Sequence, residues 1–317
     1  MNLNSDPISD RSAAASRPLL SITMPTKDRP HLLSRALASV DRAVGPEAGR
    51  VELTVSDGSG DDASAQAVEL FLASWAGRHR YVHNRPPLPL VDNMNRAIEL
   101  GSGDWVMQLD DDDYLMPGAV AAMVEATKSA RPDEAVLLFG VDIVNGDGTR
   151  SRTQGFRHQR YLEPAQAMER LLRNSSFVRE PAVVVRRAAL EREGLFDPSV
   201  GGATDTDMWV KLFARYGARC FPTTTCAYTI HQAAATTGMW NPDVVASIGE
   251  IFDRAVATGV VPEATVRRWQ ADFMWTRVLK NLDSRPKVSV RRCLIDCGLG
   301  LLHQCSWLQT SRLLWSG

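Results

Sequence analysis

"DWVMQLDDDDYLMP", Asp104 to Pro117, is the stretch on which the fold turns. A short apolar run, Trp105 to Leu109, ends abruptly in four consecutive aspartates, Asp110 to Asp113. At an effective dielectric near 20, two carboxylates about 6 Å apart repel by roughly 3 kcal/mol. Solvent, local backbone N–H groups or a divalent cation must offset that repulsion.

Upstream, "LLSITM" (Leu19 to Met24) reads as a buried strand, apolar, β-branched and stopped by Pro25. His31 to Val40 then carries apolar residues at helical spacing. "VELTVSDGSGDD" reads as a second strand ending in a turn at Asp57-Gly58, with a helix from Ala63 to Trp75 behind it. "RYVHN" is a short third strand, and Asn93 to Leu100 a short helix closed by Gly101. Trp105 to Leu109 is then the fourth strand. Downstream, Pro117 is expected to open a helix at its first turn, and Ala135 to Val144 reads as a fifth strand. This alternation predicts an α/β fold, a mostly parallel sheet with helices on both faces. Ligands of such sheets bind beyond the carboxyl ends of the strands, so the loops "PTKDR", "SDGSGDD" and "DDDD" should gather at one rim.

Gly146 to Glu180 is polar and reads as irregular. "PAVVVRRAALEREGLFDPSV" returns to strand-then-helix character, "TDTDMWVKLFARYG" reads as an amphipathic helix with acids at its start, and the chain from Asn241 on reads as helical. The expected organisation is a disordered lead over 1–18, an α/β domain over 19–240 and a helical accessory region over 241–317.

The 317 residues suffice for a substantial core, and a 44% apolar, 23% charged composition is that of a globular protein. A net charge of −1 offers no global attraction to nucleic acid. The polar first eighteen residues lack the apolar core of a secretory signal, and no run reaches membrane-spanning length. Five cysteines, none before Cys220, form no disulfide framework, so a reducing cytoplasm is the expected location. No G-x-G-x-x-G follows the first strand, which argues against a dehydrogenase.

Acids therefore stand in three places, Asp57, Asp110 to Asp113, and Asp205 with Asp207, and His231 follows a strand-like "CAYTI". Carboxylate oxygens suit Mg²⁺ or Mn²⁺, and imidazole is better tolerated by Mn²⁺. Such a site can hold a metal with open positions for a diphosphate, while a carboxylate off the metal acts as general base.

The ordered motifs "SITMPTKDRPHLLSRALASV", "VELTVSDGSGDD", "NMNRAIELGSGDWVMQLDDDDYLMPGAV", "VVVRRAALEREGLFDPS" and "TDTDMWVKL" resemble the family-2 inverting nucleotide-sugar glycosyltransferases. The resemblance covers Leu20 to Thr237 and implies a GT-A fold, Rossmann-like, with a C-terminal helical region added. It makes 19–240 the catalytic domain, with a nucleotide-binding half (19–145) and an acceptor-side half (146–240). It implies nucleotide contacts from Pro25, Thr26 and Asp28, from Asp57 to the base, and from Asn95 and Arg96. It further implies Asp112 as metal ligand, Asp110 or Asp111 toward the ribose and metal waters, His231 as a last metal ligand, and Asp205 as general base. Mn²⁺ or Mg²⁺ is the implied cofactor, a nucleotide sugar the donor, and a glycan or lipid-linked oligosaccharide the acceptor. Two positions depart from the family pattern: Ser56-Asp57 stands for the common Asp-Asp, and Thr204-Asp205 for Glu-Asp. The second leaves Asp205 and Asp207 both open as the base. Helical geometry sets them about 200° apart, so one of them faces a cleft.

Plainer roles compete. Asp57 suits an Asx turn before Gly58, Asp205 and Asp207 suit helix capping, and Asn95, Arg96 and His231 suit ordinary hydrogen bonding. A sugar nucleotidyltransferase would carry a glycine-rich phosphate loop after its first strand, and "PTKDRP" has no glycine. A non-catalytic scaffold of the same fold is a third reading. In the C-terminal stretch, Cys293, Cys297, His303 and Cys305 lack a C-x₂-C pairing and read as core rather than zinc ligands. Arg285, Lys287, Arg291, Arg292 and Arg312, with Trp307 and Trp315, suggest peripheral contact with the inner face of the cytoplasmic membrane.

Overall fold

The computed structural model describes residues 7–11, 17–230 and 242–284, with backbone alone for 7–11, 242–246 and 277–284. Strand β1 (Pro7–Arg11) precedes β2 (Leu20–Thr26), helix α1 (Pro30–Val44), β3 (Val51–Asp57), α2 (Ala63–Leu72) and β4 (Arg78–His83). Helix α3 (Leu90–Leu100) leads into β5 (Trp105–Gln108), then β6 (Tyr114–Leu115), α4 (Ala119–Ser129) and β7 (Val136–Asn145). The chain continues through β8 (Arg150–Gln154), β9 (Arg160–Leu162), α5 (Pro164–Arg173), β10 (Val183–Arg186) and α6 (Arg187–Glu193). It closes with α7 (Thr204–Tyr216), β11 (Ala218–Ile230), α8 (Pro242–Ala257) and α9 (Glu263–Ser284).

One mixed sheet runs β1-β4-β3-β2-β5-β10-β7-β11-β6. The pairs β4/β3, β3/β2, β2/β5 and β7/β11 are parallel, and β10 is antiparallel to both its neighbours, β5 and β7. All seven residues of β2 and all seven of β3 are buried, as expected for strands covered on both faces. Period-two alternation sorts side chains between two cores. Trp105, Met107, Leu137, Phe139 and Val184 enter the core that includes α1, α2 and α4. Val106, Val136, Leu138, Val183 and Val185 enter the other, with α3 and α5 to α9.

Some of the second face of β2 and β3 is polar and hydrogen-bonded internally. Ser21 Oγ donates to Glu52 Oε1 at 2.6 Å, and Thr54 Oγ1 donates to the Ala97 carbonyl of α3 at 2.7 Å. Buried Arg187 donates to the Gly103 carbonyl at 2.6 Å and to Ser21 Oγ at 3.1 Å. This network lies where β2 and β5 begin, far from their carboxyl ends.

Several local expectations are corrected. Pro117 lies outside α4, which starts after Gly118 in a left-handed conformation (φ 77°). Residues 146–180 hold β8, β9 and α5, where Glu163 and Gln166 form a capping box with Pro164 as the first helical residue. That local signal was masked by the polarity of the segment. Pro7–Arg11, within the stretch expected as a disordered lead, pairs antiparallel with β4. His231 and the C-terminal cysteine and arginine groups lie outside the described residues. No helix among the described residues is long and apolar enough to cross a membrane.

Candidate active site

The strand order reverses at β2, with β3 and β4 on one side and β5 on the other. This is the topological switch at which ligands of open α/β sheets bind. The loops after β2 and β3 are stitched together there. The Asp28 amide donates to Ser59 Oγ, and the Gly60 amide donates to Asp28 Oδ1, both at 2.8 Å. Asp28 takes a positive φ of 54°, a region that Asp enters more readily than most residues. Asp57 is fully buried: its Oδ1 accepts the Ser59 amide at 2.8 Å and its Oδ2 accepts the Tyr81 hydroxyl at 2.9 Å. Burial and the Asp57 charge push the Tyr81 phenol well above its ordinary range. Asp57 thus forms the Asx turn and braces β4 from beneath the loop.

The four-aspartate run is a turn, closed by the Asp113 amide donating to the Asp110 carbonyl at 3.1 Å. Its carboxylates diverge. Asp111 points inward, accepting Thr26 Oγ1 at 2.6 Å and pairing with Arg29 at 2.7 Å. Asp112 pairs with the other nitrogen of Arg29 at 3.0 Å, and its carbonyl accepts from Arg35. Asp113 is buried, with Oδ1 accepting the Thr229 amide of β11 at 2.7 Å and Oδ2 lacking a hydrogen-bond partner. One carboxylate oxygen from each of Asp110, Asp112 and Asp113 lies within 4.8 Å of the others.

Burial, then the charges of Asp112 and Asp111, push Asp110 up to about 7. Burial pushes Asp111 up to about 6 against the opposing pull of Arg29 and Thr26. Burial, then Asp110 and Asp112, raise Asp113 well above the carboxylate range. The turn is short of positive charge. Three converging hard oxygen donors, with one buried oxygen unpartnered, fit Mg²⁺ or Mn²⁺. The sequence reading had no role for Asp113, because a run of identical residues does not reveal which carboxylates turn the same way.

Asp205 stands in the first turn of α7 and lines the same cleft as this turn. Its Oδ1 accepts the Thr206 amide at 2.6 Å, and desolvation raises its carboxyl above the ordinary value. Asp207 faces away. It is fully buried, paired with Lys211 at 2.6 Å and with Arg254 of α8 at 3.0 Å. Of the two acids left open by the sequence, Asp205 is the one in the cleft.

Glu180 also lines the cleft, and no motif marked it. Burial, then the charges of Asp110, Asp205 and Asp113, raise its carboxyl well above the ordinary range. Its neighbour Arg179 stacks over Tyr228 at 4.5 Å.

Pro25, Thr26, Lys27 and Arg29 contribute the β2 side of the cleft, whose volume is about 500 Å³. From α3 the cleft receives Asn93, which donates to the Thr26 carbonyl at 2.9 Å. Asn95 and Arg96 engage elsewhere. Asn95 exchanges hydrogen bonds with the Phe196 backbone at 2.8 and 3.0 Å, and Arg96 approaches Glu99 at 3.8 Å. Residue spacing selected a helix that lines the cleft, and helix rotation decided which of its side chains reach it.

The sequence pattern of glycosyl transferase family 2 matches residues 21–194, more than half of the chain. The chain belongs to that family. Known proteins resemble it at a distance. An uncharacterized protein of Mycobacterium tuberculosis is 26% identical over 254 residues, 77% of this chain and 75% of that one. The GalNAc(5)-diNAcBac-PP-undecaprenol beta-1,3-glucosyltransferase of Campylobacter jejuni is 24% identical over 197 residues, 62% of this chain and 60% of that enzyme. Among solved structures, S. aureus TarS 1–349 in complex with UDP superposes with a TM-score of 0.63 at 18% identity, over 90% of this chain and 81% of that one. A longer TarS chain is spanned to 43% of its length. A Pyrobaculum calidifontis mannosyltransferase in complex with GDP-Man and Mn²⁺ gives a TM-score of 0.57 at 16% identity, covering 94% and 79%. These superpositions show the fold: a GT-A architecture with helices α8 and α9 following it.

Proposed function

We propose that this family-2 member is an inverting glycosyltransferase that moves a sugar from a nucleotide-sugar donor to a hydroxyl of a glycan or lipid-linked acceptor. The observation that carries the reading is that Asp205 and the Asp110–Asp113 turn line one cleft at the switch point of the sheet. Solved relatives of the same fold carry UDP in one case, and GDP-Man with Mn²⁺ in another.

In the proposed reaction Asp205 takes the proton of the acceptor hydroxyl as its oxygen bonds to the anomeric carbon. The bond from that carbon to the diphosphate oxygen breaks, and the anomeric configuration inverts in this single step. Asp112, with Asp110 and Asp113, would hold Mn²⁺ or Mg²⁺, which neutralises charge on the departing diphosphate. His231 remains a proposed further ligand from outside the described residues. Arg29 and Lys27 add positive charge on the β2 side, and Thr26 and Arg29 hold Asp111 so that the turn keeps its shape. Pro25, Thr26, Asp28, Asp57 and Asn93 shape the nucleotide end, and Asn95 and Arg96 support it through the packing of α3.

The test is to incubate the protein with Mn²⁺, a panel of UDP- and GDP-sugars, and sugar acceptors. Product would be identified by mass and its anomeric configuration by NMR. A product that retains the donor's configuration would overturn the single-displacement reading. Nucleotide sugars that neither bind nor turn over would overturn the donor assignment.

A further inference from the structure

A second cavity borders the end of α5 and the turn after it. Leu171, Leu172, Ser175, Ser176 and Val178 line the cleft that holds Asp205, whereas Arg170, Arg173, Asn174 and Phe177 line this second cavity. Its volume is about 690 Å³, and none of the site residues described above lies on its wall. Three arginines do: Arg160 at the start of β9, with Arg170 and Arg173 in the last turn of α5. Glu169 is the one acid on that wall among the described residues.

The α5 dipole explains part of this pattern, because cations are stabilised in the last turn of a helix. It does not explain Arg160, which comes from β9, is half-buried and stands in register with Cys220 of β11. Cys220 locates two of the charges. Burial pushes its thiol up to about 12, and Arg160 and Arg170 both pull against that shift, so the two guanidinium groups act at one point. Neither has a carboxylate partner among the described residues. Arg173 has one, Glu169 at 3.0 Å, but both side chains are about half exposed, and such surface pairs are weak and easily exchanged. Gln166 and Asn174 add amide donors on the same wall.

Converging cations without a matching acid favour an anionic guest, and guanidinium forks fit phosphate oxygens in both charge and geometry. We propose that this cavity is an oxyanion site for a phosphate group, held by Arg160 and Arg170, with Arg173 released from Glu169 to join them. The group can arrive as a free ion or on a phosphorylated sugar, since the same oxygens are recognised in either case. The site is separate from the cleft, so it stands or falls apart from the transferase reading.

The test titrates the full chain with inorganic phosphate, glucose-6-phosphate and glucose, followed by NMR, with EDTA present and chloride holding the ionic strength constant. Both phosphates should bind saturably, and glucose should not. Equal affinity for the two phosphates assigns a free ion, and tighter binding of glucose-6-phosphate assigns a sugar-borne group. Arg160→Gln and Arg170→Gln should each weaken phosphate about tenfold, the usual worth of a charge-assisted hydrogen bond. Glu169→Gln removes the opposing acid and should tighten it severalfold. Melting curves without ligand check that each variant is folded, and UDP with Mn²⁺ should bind all three as it binds the wild type. Affinities left unchanged by all three substitutions, or no saturable phosphate binding to the wild type, would overturn the proposal. Phosphate binding that follows the three substitutions in a protein that ignores UDP would support this site and count against the donor assignment alone.

Discussion

Among single residues, adjacent acids of one type are separated by what each touches. Asp111 is held by Thr26 and Arg29, whereas Asp110, Asp112 and Asp113 converge. Asp112→Asn removes one charged donor from that convergence and should abolish Mn²⁺-dependent nucleotide binding, read by calorimetry with and without EDTA. Asp205→Asn should lower transfer by roughly 10²- to 10⁴-fold, the usual worth of a general base, while leaving nucleotide affinity within about twofold. Steady-state rates together with a nucleotide titration separate these outcomes. A variant that turned over normally would return the base role to another group, and Glu180 would be the first to examine.

Between elements, the same helix that offers Asp205 to the cleft uses Asp207 to dock α8. Arg254 bridges Asp207 and Asp197, each at 3.0 Å, so one guanidinium ties α7, α8 and the turn before α7 together. Removing a partner from a buried ion pair leaves an uncompensated charge. Asp207→Ala should therefore cost about 2–4 kcal/mol and lower the melting temperature by several degrees, with Asp205→Asn nearly silent in the same scan. Asp197 adds a pH signature. Hydrogen bonds from Ser199, then the Arg254 charge, lower its carboxyl to about 2 from an ordinary 3.8. A depressed carboxylate stabilises the fold above its unfolded value, and that contribution disappears as pH falls from about 4 toward 2. Its side chain is 29% exposed, so about 1–2 kcal/mol is at stake. Melting curves of the wild type and Asp197→Asn should differ at pH 5 and converge toward pH 2.

For the whole molecule, the sheet and its helices act as a frame that brings distant loops to one edge. Thr26 reaches Asp111, Asp113 reaches Thr229, and Arg35 reaches both Asp112 and Thr229, across 77 to 194 residues of chain. A ligand in this cleft touches both halves of the fold and should stabilise them together. UDP with Mn²⁺ at about 100 times its dissociation constant should add about 2.7 kcal/mol to unfolding. That appears as a rise of several degrees in melting temperature, absent with UDP alone and reversed by EDTA.

The sequence by itself determined the strand–helix alternation, the buried character of β2 and β5, and the placing of three polar loops at one rim. Periodicity and strand-ending turns are local properties, and burial on both faces leaves a direct trace in composition. It also pointed to the correct turn for the clustered acids. Only the tertiary structure decided that Asp205 rather than Asp207 enters the cleft and that Asn93 lines it while Asn95 does not. The same holds for Asp113 joining Asp110 and Asp112, and for Glu180 and α8 completing the wall. Each of these depends on the direction of a side chain relative to elements far away in sequence. Residue type specifies what a group can do, and packing specifies whom it meets.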